Sequence, residues 1–69
     1  MLKIGMYQHF KGNYYQVLHI ARHSETEEYM VVYHPAENKG DIWLRPLAMF
    51  DETIEREGKT LKRFSFVKP

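Results

Sequence analysis

Four neighbouring residues, His23, Ser24, Glu25 and Thr26, carry side chains that hydrolases use for nucleophilic catalysis. A catalytic triad brings its nucleophile, base and acid together from different parts of a fold. Consecutive residues of an extended chain point to alternate sides, so His23 and Ser24 cannot readily face one another. No G-x-S-x-G elbow surrounds Ser24. Because short polar side chains often hydrogen-bond the backbone of tight turns, the segment is predicted to be a turn, with ligand contact as the alternative.

Four histidines, His9, His19, His23 and His34, raise the question of a metal site. On a strand, His19 and His23 share a face but lie roughly 13 Å apart, at about 3.3 Å per residue. Zinc–nitrogen bonds are only about 2.0 Å long, so these two histidines cannot share one ion. Only His9 and His23 could meet, if the first strand crosses near the turn. We therefore predict no metal site and no cofactor.

Trp43 and Arg45 lie on the same side of a short strand that ends at Pro46. Arginine offers planar donors for a carboxylate or phosphate, and tryptophan offers a flat apolar wall. The alternative is structural: Trp43 anchors the core, and Arg45 ties down the turn at residues 24–26, with Glu25 as a possible ion-pair partner. The predicted ligand surface consists of Tyr7, His9, His23, Glu25, Thr26, Trp43 and Arg45.

The elements that must position these residues are short strands, since segments rich in Tyr, Val, Ile, Phe and Trp alternate with turn residues. Strands are predicted at residues 6–10, 14–23, 28–34 and 42–45, followed by a single helical turn at 47–50. Residues 51–58 fit either a helix, with Asp51 as N-cap and Gly58 after its end, or a hairpin. The hairpin is favoured because Thr53 and Ile54 are β-branched.

The central hairpin predicts how the sheet is shaped. With a loop at 25–27, the numbers of opposed residues sum to 52, so that Ala21 faces Val31 and His19 faces Tyr33. Both faces of this hairpin are then apolar, which a long hairpin bent into a small barrel would satisfy. The predicted fold is all-β: one SH3-like β-barrel domain over residues 1–69, with five or six antiparallel strands and at most one short helical turn.

Composition narrows the function classes. The chain has 69 residues, no cysteine and a net charge of +1, and its isoelectric point is about 8.0. Disulfides and cysteine-based zinc sites are excluded. Nucleic acid is possible but not favoured, since domains that bind it usually have an isoelectric point above roughly 9. No apolar run is long enough for an export signal or membrane span, so a cytoplasmic location without membrane contact is predicted.

Several strings, "GMYQHFKGNYYQV", "ARHSETEEYMVVY", "WLRPLAMF" and a late "RF", occur in order between residues 5 and 64. This pattern resembles the bacterial family called domain of unknown function 1653. His19 and His34 are extra to the pattern. The resemblance implies a compact SH3-like β-barrel and supplies no reaction. The family residues carried over are Gly5, Tyr7, His9, Lys11, Gly12, His23, Ser24, Glu25, Thr26, Trp43, Arg45, Pro46, Phe50 and Arg63.

The function predicted from sequence is a non-catalytic binding or interaction module. Its ligand is a peptide segment, a nucleotide or a small metabolite, and weak homo-oligomerisation is plausible through open strand edges. One alternative is a small hydrolase, which requires His23, Glu25 and Arg45 to converge in a pocket. Another is a weak nucleic-acid-binding barrel, which requires one groove lined by Lys11, Arg45, Lys59, Lys62 and Arg63 beside exposed aromatic side chains.

Overall fold

The computed structural model describes all residues from 1 to 69 and contains seven strands and one helical turn. The elements are β1 (Gly5–His9), β2 (Tyr14–Arg22), β3 (Tyr29–Pro35), β4 (Trp43–Pro46), α1 (Leu47–Phe50), β5 (Thr53–Arg56), β6 (Lys59–Lys62) and β7 (Phe64–Lys68). The first four strands lie within one residue of their predicted bounds. The predicted helical turn at 47–50 is confirmed. No helix of the structure is long and apolar enough to span a membrane.

The strands form two antiparallel sheets. Five strands pair in the order β4-β3-β2-β1-β7, and β5 pairs only with β6. The β5–β6 hairpin confirms the hairpin prediction for residues 51–58: Glu57 and Gly58 both have positive φ, 54° and 76°, as a tight primed turn between strands requires. The mostly antiparallel β fold is confirmed. Since no hydrogen-bonded ladder joins the edge strands β4 and β7, the sheet is not a closed barrel, and the SH3-like barrel is not confirmed.

The five-stranded sheet is nevertheless strongly curled. In a flat sheet, β4 and β7 would lie about 19 Å apart, four strand spacings of about 4.8 Å. Side chains stand roughly perpendicular to a sheet, so residues on those two strands would not touch. Yet the guanidinium carbon of Arg45 on β4 lies 5.8 Å from the ring centroid of Phe64 on β7. Side chains, rather than backbone hydrogen bonds, therefore bridge the two edges.

The register predicted for the β2–β3 hairpin is wrong. Arg22 pairs with Tyr29 and Ile20 with Val31, so that opposed numbers sum to 51 near the turn, and a bulge at Leu18 shifts the register again. The loop is longer than predicted, because the His23 carbonyl accepts a hydrogen bond from the Glu27 N–H at 2.8 Å. A one-residue slip exchanges the faces of a strand. Ile20, not Ala21, consequently packs against the core.

The core lies on one face of the curled sheet beneath α1. Its six buried hydrophobic residues are Tyr7, Val17, Val31, Tyr33, Phe50 and Phe64. Phe50, the last residue of α1, is fully buried and stacks on Phe64 with the ring centroids 4.0 Å apart and the planes 3° from parallel. Pro46 ends β4, and its φ of −53° lets the chain turn directly into the helical turn that delivers Phe50.

Candidate functional site

Tyr7, a predicted site residue, belongs to the core. Only 3% of the surface of Tyr7 is exposed. Its ring makes edge contacts with Phe50 and Phe66, each at 5.4 Å between ring centroids. The hydroxyl donates a hydrogen bond to the Lys3 carbonyl at 2.7 Å. Burial raises the pKa of Tyr7, and the negative charge of Asp51 adds to this rise. The ring is therefore part of the core and is not accessible to a ligand.

The segment from His23 to Thr26 is a structured turn, as predicted. The Nδ1 atom of His23 accepts hydrogen bonds from the backbone N–H groups of Glu25 at 3.1 Å and Thr26 at 3.3 Å. The Thr26 hydroxyl accepts one from the Glu28 N–H at 3.3 Å. These side chains therefore satisfy the turn's own backbone donors, which is the usual role of polar residues in such turns. The imidazole is not aimed at a nucleophile.

The only two histidines that the sequence left able to meet, His9 and His23, lie at opposite ends of β2. This strand has nine residues, about 30 Å at 3.3 Å per residue. His9 precedes the β1–β2 turn, where its Nδ1 atom accepts a hydrogen bond from the Lys11 N–H at 3.1 Å. No group of three or more His, Asp or Glu side chains lies close enough together to hold a metal ion.

A cluster of rings forms on the concave face beside the edge strand β4. Tyr15 occupies its centre: its ring centroid lies 5.8 Å from that of Trp43, 5.7 Å from Tyr33 and 5.6 Å from Phe64. His9 joins the cluster at 4.9 Å from Phe64 and 6.4 Å from Tyr15. Aromatic pairs at these distances and mostly edge-to-face angles stabilise one another. We call these five residues, Tyr15, Tyr33, Trp43, Phe64 and His9, the aromatic cluster.

Arg45 lies against the aromatic cluster without a carboxylate partner. It is half-buried, its Nε atom donates to the Tyr33 hydroxyl at 3.3 Å, and its guanidinium lies over the Phe64 ring. The three ion pairs of the molecule join Arg22 to Glu27, Lys62 to Asp51, and Arg63 to Glu52. The predicted tie between Arg45 and Glu25 in the turn is therefore absent, because β4 directs the guanidinium toward Tyr33 and Phe64 instead.

The electrostatics of the cluster favour negative charge. The pKa of His9 is lowered, chiefly because burial disfavours the charged imidazolium, and further by the positive charges of Arg63, Lys11 and Arg45. Of these three cations, only Arg63 is neutralised by a carboxylate, at 2.6 Å from Glu52. The imidazole is therefore held in its neutral form next to uncompensated positive charge, which is an environment that attracts an anion.

A groove of about 360 Å³ opens beside the cluster, where the β1–β2 turn meets the end of β3. Tyr15 forms part of its wall, and the groove is otherwise lined by Gly12, Asn13, Tyr14, Pro35, Ala36 and Glu37. Trp43 flanks Tyr15 and is 39% exposed, so one ring of the cluster remains open to solvent.

Comparison with known proteins places the chain in a family. The family described as "Protein of unknown function (DUF1653)" matches residues 5–66. The chain belongs to this family. Its fold is similar to the crystal structure of a DUF1653 protein from Bordetella bronchiseptica, with 32% identity, a TM-score of 0.84, and coverage of 96% of this chain and 87% of the other. None of the curated proteins matches the chain.

Within this DUF1653 chain, the predicted surface separates into three places. His9, Trp43 and Arg45 converge at the aromatic cluster. Tyr7 is buried in the core on the same face of the sheet. His23, Glu25 and Thr26 form the separate β2–β3 turn. Sequence reasoning missed Tyr15, Tyr33 and Phe64, which join the converging three. The available signal was alternation on β2, since Tyr15 and the buried Val17 are two residues apart. Phe64 is reached only through the pairing of β7 with β1.

Proposed function

We propose that this protein is a non-catalytic binding module whose ligand combines an anionic group with a flat ring. Arg45 carries the proposal, because it is a half-buried arginine on an aromatic wall with no carboxylate partner. We further propose that the curled sheet is an open relative of the SH3-like barrels, bridged at its edges by Arg45 and Phe64. In bacterial cells such a module would act by recognition.

The guanidinium of Arg45 is suited to a planar anion. Its Nε atom is hydrogen-bonded to Tyr33, which leaves the two terminal nitrogens to donate to a carboxylate or phosphate in the fork geometry of arginine. The Phe64 ring beneath the guanidinium keeps water away from one of its faces. An anion bound there would be attracted more strongly than by an arginine surrounded by water.

The flat part of the ligand would rest on Trp43, which is the most exposed ring of the cluster and packs edge-on against Tyr33 at 5.8 Å between centroids. An edge contact with Tyr33 and a tilted contact with Tyr15 hold the indole in place. A neutral His9, whose Nδ1 atom accepts from Lys11, carries its proton on Nε2 and can donate it to the same ligand.

We favour binding over the hydrolase alternative on the geometry of the three residues that hydrolysis would need. The Nδ1 atom of His23 accepts two backbone hydrogen bonds in its own turn. Arg45 donates to Tyr33 and is not paired with Glu25. The aromatic cluster holds no serine, threonine or carboxylate, so it lacks the nucleophile and the orienting acid of a hydrolase triad.

The test uses a nucleoside 5′-monophosphate, which supplies an anion and a flat ring in one molecule. Trp43 is the only tryptophan of the chain, so both its fluorescence and its indole NMR signal report on the site. We expect quenching and shift changes confined to Trp43, Arg45 and Tyr15. The nucleoside alone and inorganic phosphate, each lacking one half of the ligand, should bind at least about tenfold more weakly, a loss of roughly 1.4 kcal/mol.

Two matched arginine variants separate a specific role from a loss of charge. Arg45→Gln should abolish the binding of the nucleoside monophosphate. Arg22→Gln removes the same charge from an arginine that also lies over a ring, Tyr29, but is 3.8 Å from Glu27. This second variant should bind normally. Equal binding by both variants, or shifts that cluster at the turn around His23, would refute the proposed site.

A further inference from the structure

We infer, building on the proposed function, that the ligand of the aromatic cluster is single-stranded nucleic acid, and that its strand continues into a second, basic groove. This groove of about 420 Å³ lies between the β1–β2 turn and the β5–β6 hairpin. Its lining residues are Phe10, Lys11, Arg56, Glu57, Lys59 and Leu61. Three cations and one carboxylate surround one aromatic ring.

The cations of the basic groove are available to a ligand. The Lys11 ammonium lies 5.9 Å and the Arg56 guanidinium carbon 5.2 Å from the ring centroid of Phe10. Neither of them, nor Lys59, forms an ion pair, and all three are exposed. Such an arrangement, an aromatic ring between unneutralised cations, suits a base that stacks while its phosphates are neutralised.

The basic groove and the aromatic cluster are connected by a line of rings. From Trp43 the centroid distance is 5.8 Å to Tyr15, then 6.4 Å from Tyr15 to His9, and 4.4 Å from His9 to Phe10. The cation of Arg45 lies over Phe64, which contacts the two middle rings of this line, Tyr15 and His9. The cations of Lys11 and Arg56 lie beside Phe10, the last ring. Positive charges therefore accompany the rings along a path from the aromatic cluster to the basic groove.

A single strand of nucleic acid fits this path better than an acidic peptide does. Every nucleotide carries both a flat base and a negative phosphate, so the strand presents rings and charges in repetition. An acidic peptide presents charge without repeated flat groups, and a duplex hides the faces of its bases in its own stack. The path thus matches the chemistry of an unpaired strand at each step.

The nucleic-acid groove predicted from sequence was lined by a different set of cations from those of the observed groove. Lys62 lies 3.0 Å from Asp51 and Arg63 lies 2.6 Å from Glu52, so both cations are neutralised within the protein. Arg56, which the sequence prediction did not include, takes their place beside Phe10. A net charge of +1 conceals this arrangement, because composition averages paired and unpaired charges over the whole chain.

The experiment measures the affinity of the protein for an oligothymidylate of about eight nucleotides, within the range that small β-barrel modules hold. Four unpaired cations, at a slope of about −0.7 per neutralised phosphate, give a total slope near −2.8 in log affinity against log salt. Affinity should then fall about 50-fold between about 50 mM and 200 mM salt. NMR shift changes should extend from Trp43 to Phe10 and Arg56.

Variants of the exposed cations test the path without risk to the core. Arg56→Gln and Lys59→Gln should each reduce the salt slope by about 0.7, so that affinity falls only about 20-fold over the same salt range. Lys3→Gln is the matched control, since Lys3 lies over the Phe66 ring at 5.1 Å but away from the path. It should leave the salt slope unchanged.

The outcomes distinguish this inference from the function on which it rests. If the nucleoside monophosphate binds at Arg45 while the oligothymidylate leaves Phe10 and Arg56 unperturbed, the second groove is refuted and the proposed function stands. If neither probe perturbs Trp43, both fail. If polyphosphate of the same charge binds as tightly as the oligothymidylate, the rings contribute nothing and the assignment to nucleic acid is wrong.

Discussion

At the scale of single residues, two histidines act as acceptors for the backbone of a turn. His9 and His23 each stand just before a hairpin loop, and the Nδ1 atom of each accepts from the N–H two residues later, at 3.1 Å in both turns. This is the geometry in which an asparagine side chain would serve equally well. Only His9 also lies in a cluster of rings and cations. Burial in this cluster, together with the nearby positive charges, lowers the pKa of its imidazole.

His9 makes the stability of the protein depend on pH. Its pKa is lowered in the folded state by burial first and by Arg63, Lys11 and Arg45 in addition, so the unfolded chain binds the proton more readily. The contribution of His9 to stability is therefore fully present above the ordinary histidine pKa of about 6.5, and it is lost progressively as pH falls from there through the lowered pKa of the folded state. We expect unfolding by urea to require less denaturant at pH 5 than at pH 7.

His9→Asn isolates the titration from the hydrogen bond. The asparagine oxygen can accept from the Lys11 N–H in place of Nδ1, while the titrating group is gone. The variant should show a smaller change in urea midpoint between pH 7 and pH 5 than the natural protein. An unchanged pH dependence would show that other groups cause it.

At the scale of elements, the close packing of β1 against β7 requires a glycine at position 5 of β1. A Cβ atom on Gly5 would lie 2.5 Å from the Lys68 carbonyl oxygen of β7, and the φ of this glycine is +146°. Any larger residue would push β7 away from β1. The strand that brings Phe64 into both the core and the aromatic cluster depends on this contact.

Gly5→Ala and Gly12→Ala form a matched pair that measures this contact. Both glycines have positive φ, and the Gly12 value is +110°, but a Cβ on Gly12 would meet nothing within 4 Å. Backbone strain alone should cost Gly12→Ala about 1–3 kcal/mol. Gly5→Ala should cost a further 1–3 kcal/mol, roughly, from the clash. Urea unfolding measures both costs, and equal losses would contradict the role assigned to the β1–β7 contact.

Elements set by local signals were predictable, and those set by distant contacts were not. Pro46 and the Glu57–Gly58 pair mark the helical turn and the last hairpin in the sequence itself. The β2–β3 register depends on a loop in which Glu27 adopts a φ of 63° and on a bulge at Leu18. Neither the loop nor the bulge can be deduced from the hydrophobic pattern, because both are set by backbone dihedral angles.

The same distinction applies to the candidate site: residues placed by local spacing were predicted, and residues placed by strand pairing were not. Trp43 and Arg45 were found because they are two residues apart on one short strand. Phe64 was missed because it reaches the cluster through the pairing of β7 with β1, a strand far away in sequence. Tyr15 was missed because its contact with Trp43 depends on the pairing of β2 with β3 and of β3 with β4. The turn around His23 was grouped with Arg45 because its residues match the family pattern and Glu25 could pair with an arginine. In the structure Arg45 contacts Tyr33 and Phe64 instead.

At the scale of the whole molecule, a core of six residues must hold a chain of 69 together. A core of this size supplies only a few kcal/mol beyond the entropy cost of folding. Four of the six are aromatic, so each contributes a large buried area, and the rings contact one another across the curl of the sheet. The fold therefore depends on a small number of large side chains.

Phe50→Ala should unfold the protein. Truncation of a fully buried phenylalanine costs about 3–5 kcal/mol, which equals the whole stability expected of a domain this small. Phe50→Leu retains most of the volume and should remain folded with a lower melting temperature. Met49→Ala is the control from the same helical turn, because Met49 is 49% exposed and its loss should be nearly neutral. Circular dichroism and NMR dispersion report the outcome, and a folded Phe50→Ala would contradict this account of the core.

The aromatic cluster has a consequence for how this protein can change over evolutionary time. Tyr33 and Phe64 are core residues, and the same two rings contact Arg45 at the candidate surface. A substitution that reshapes the candidate surface through either ring would therefore destabilise the fold before it altered the binding that we propose. Under that proposal, specificity can drift only at the outer positions, Trp43, His9 and Arg45, which contact the core without belonging to it. Relatives with different ligands should differ there while keeping the rings beneath unchanged.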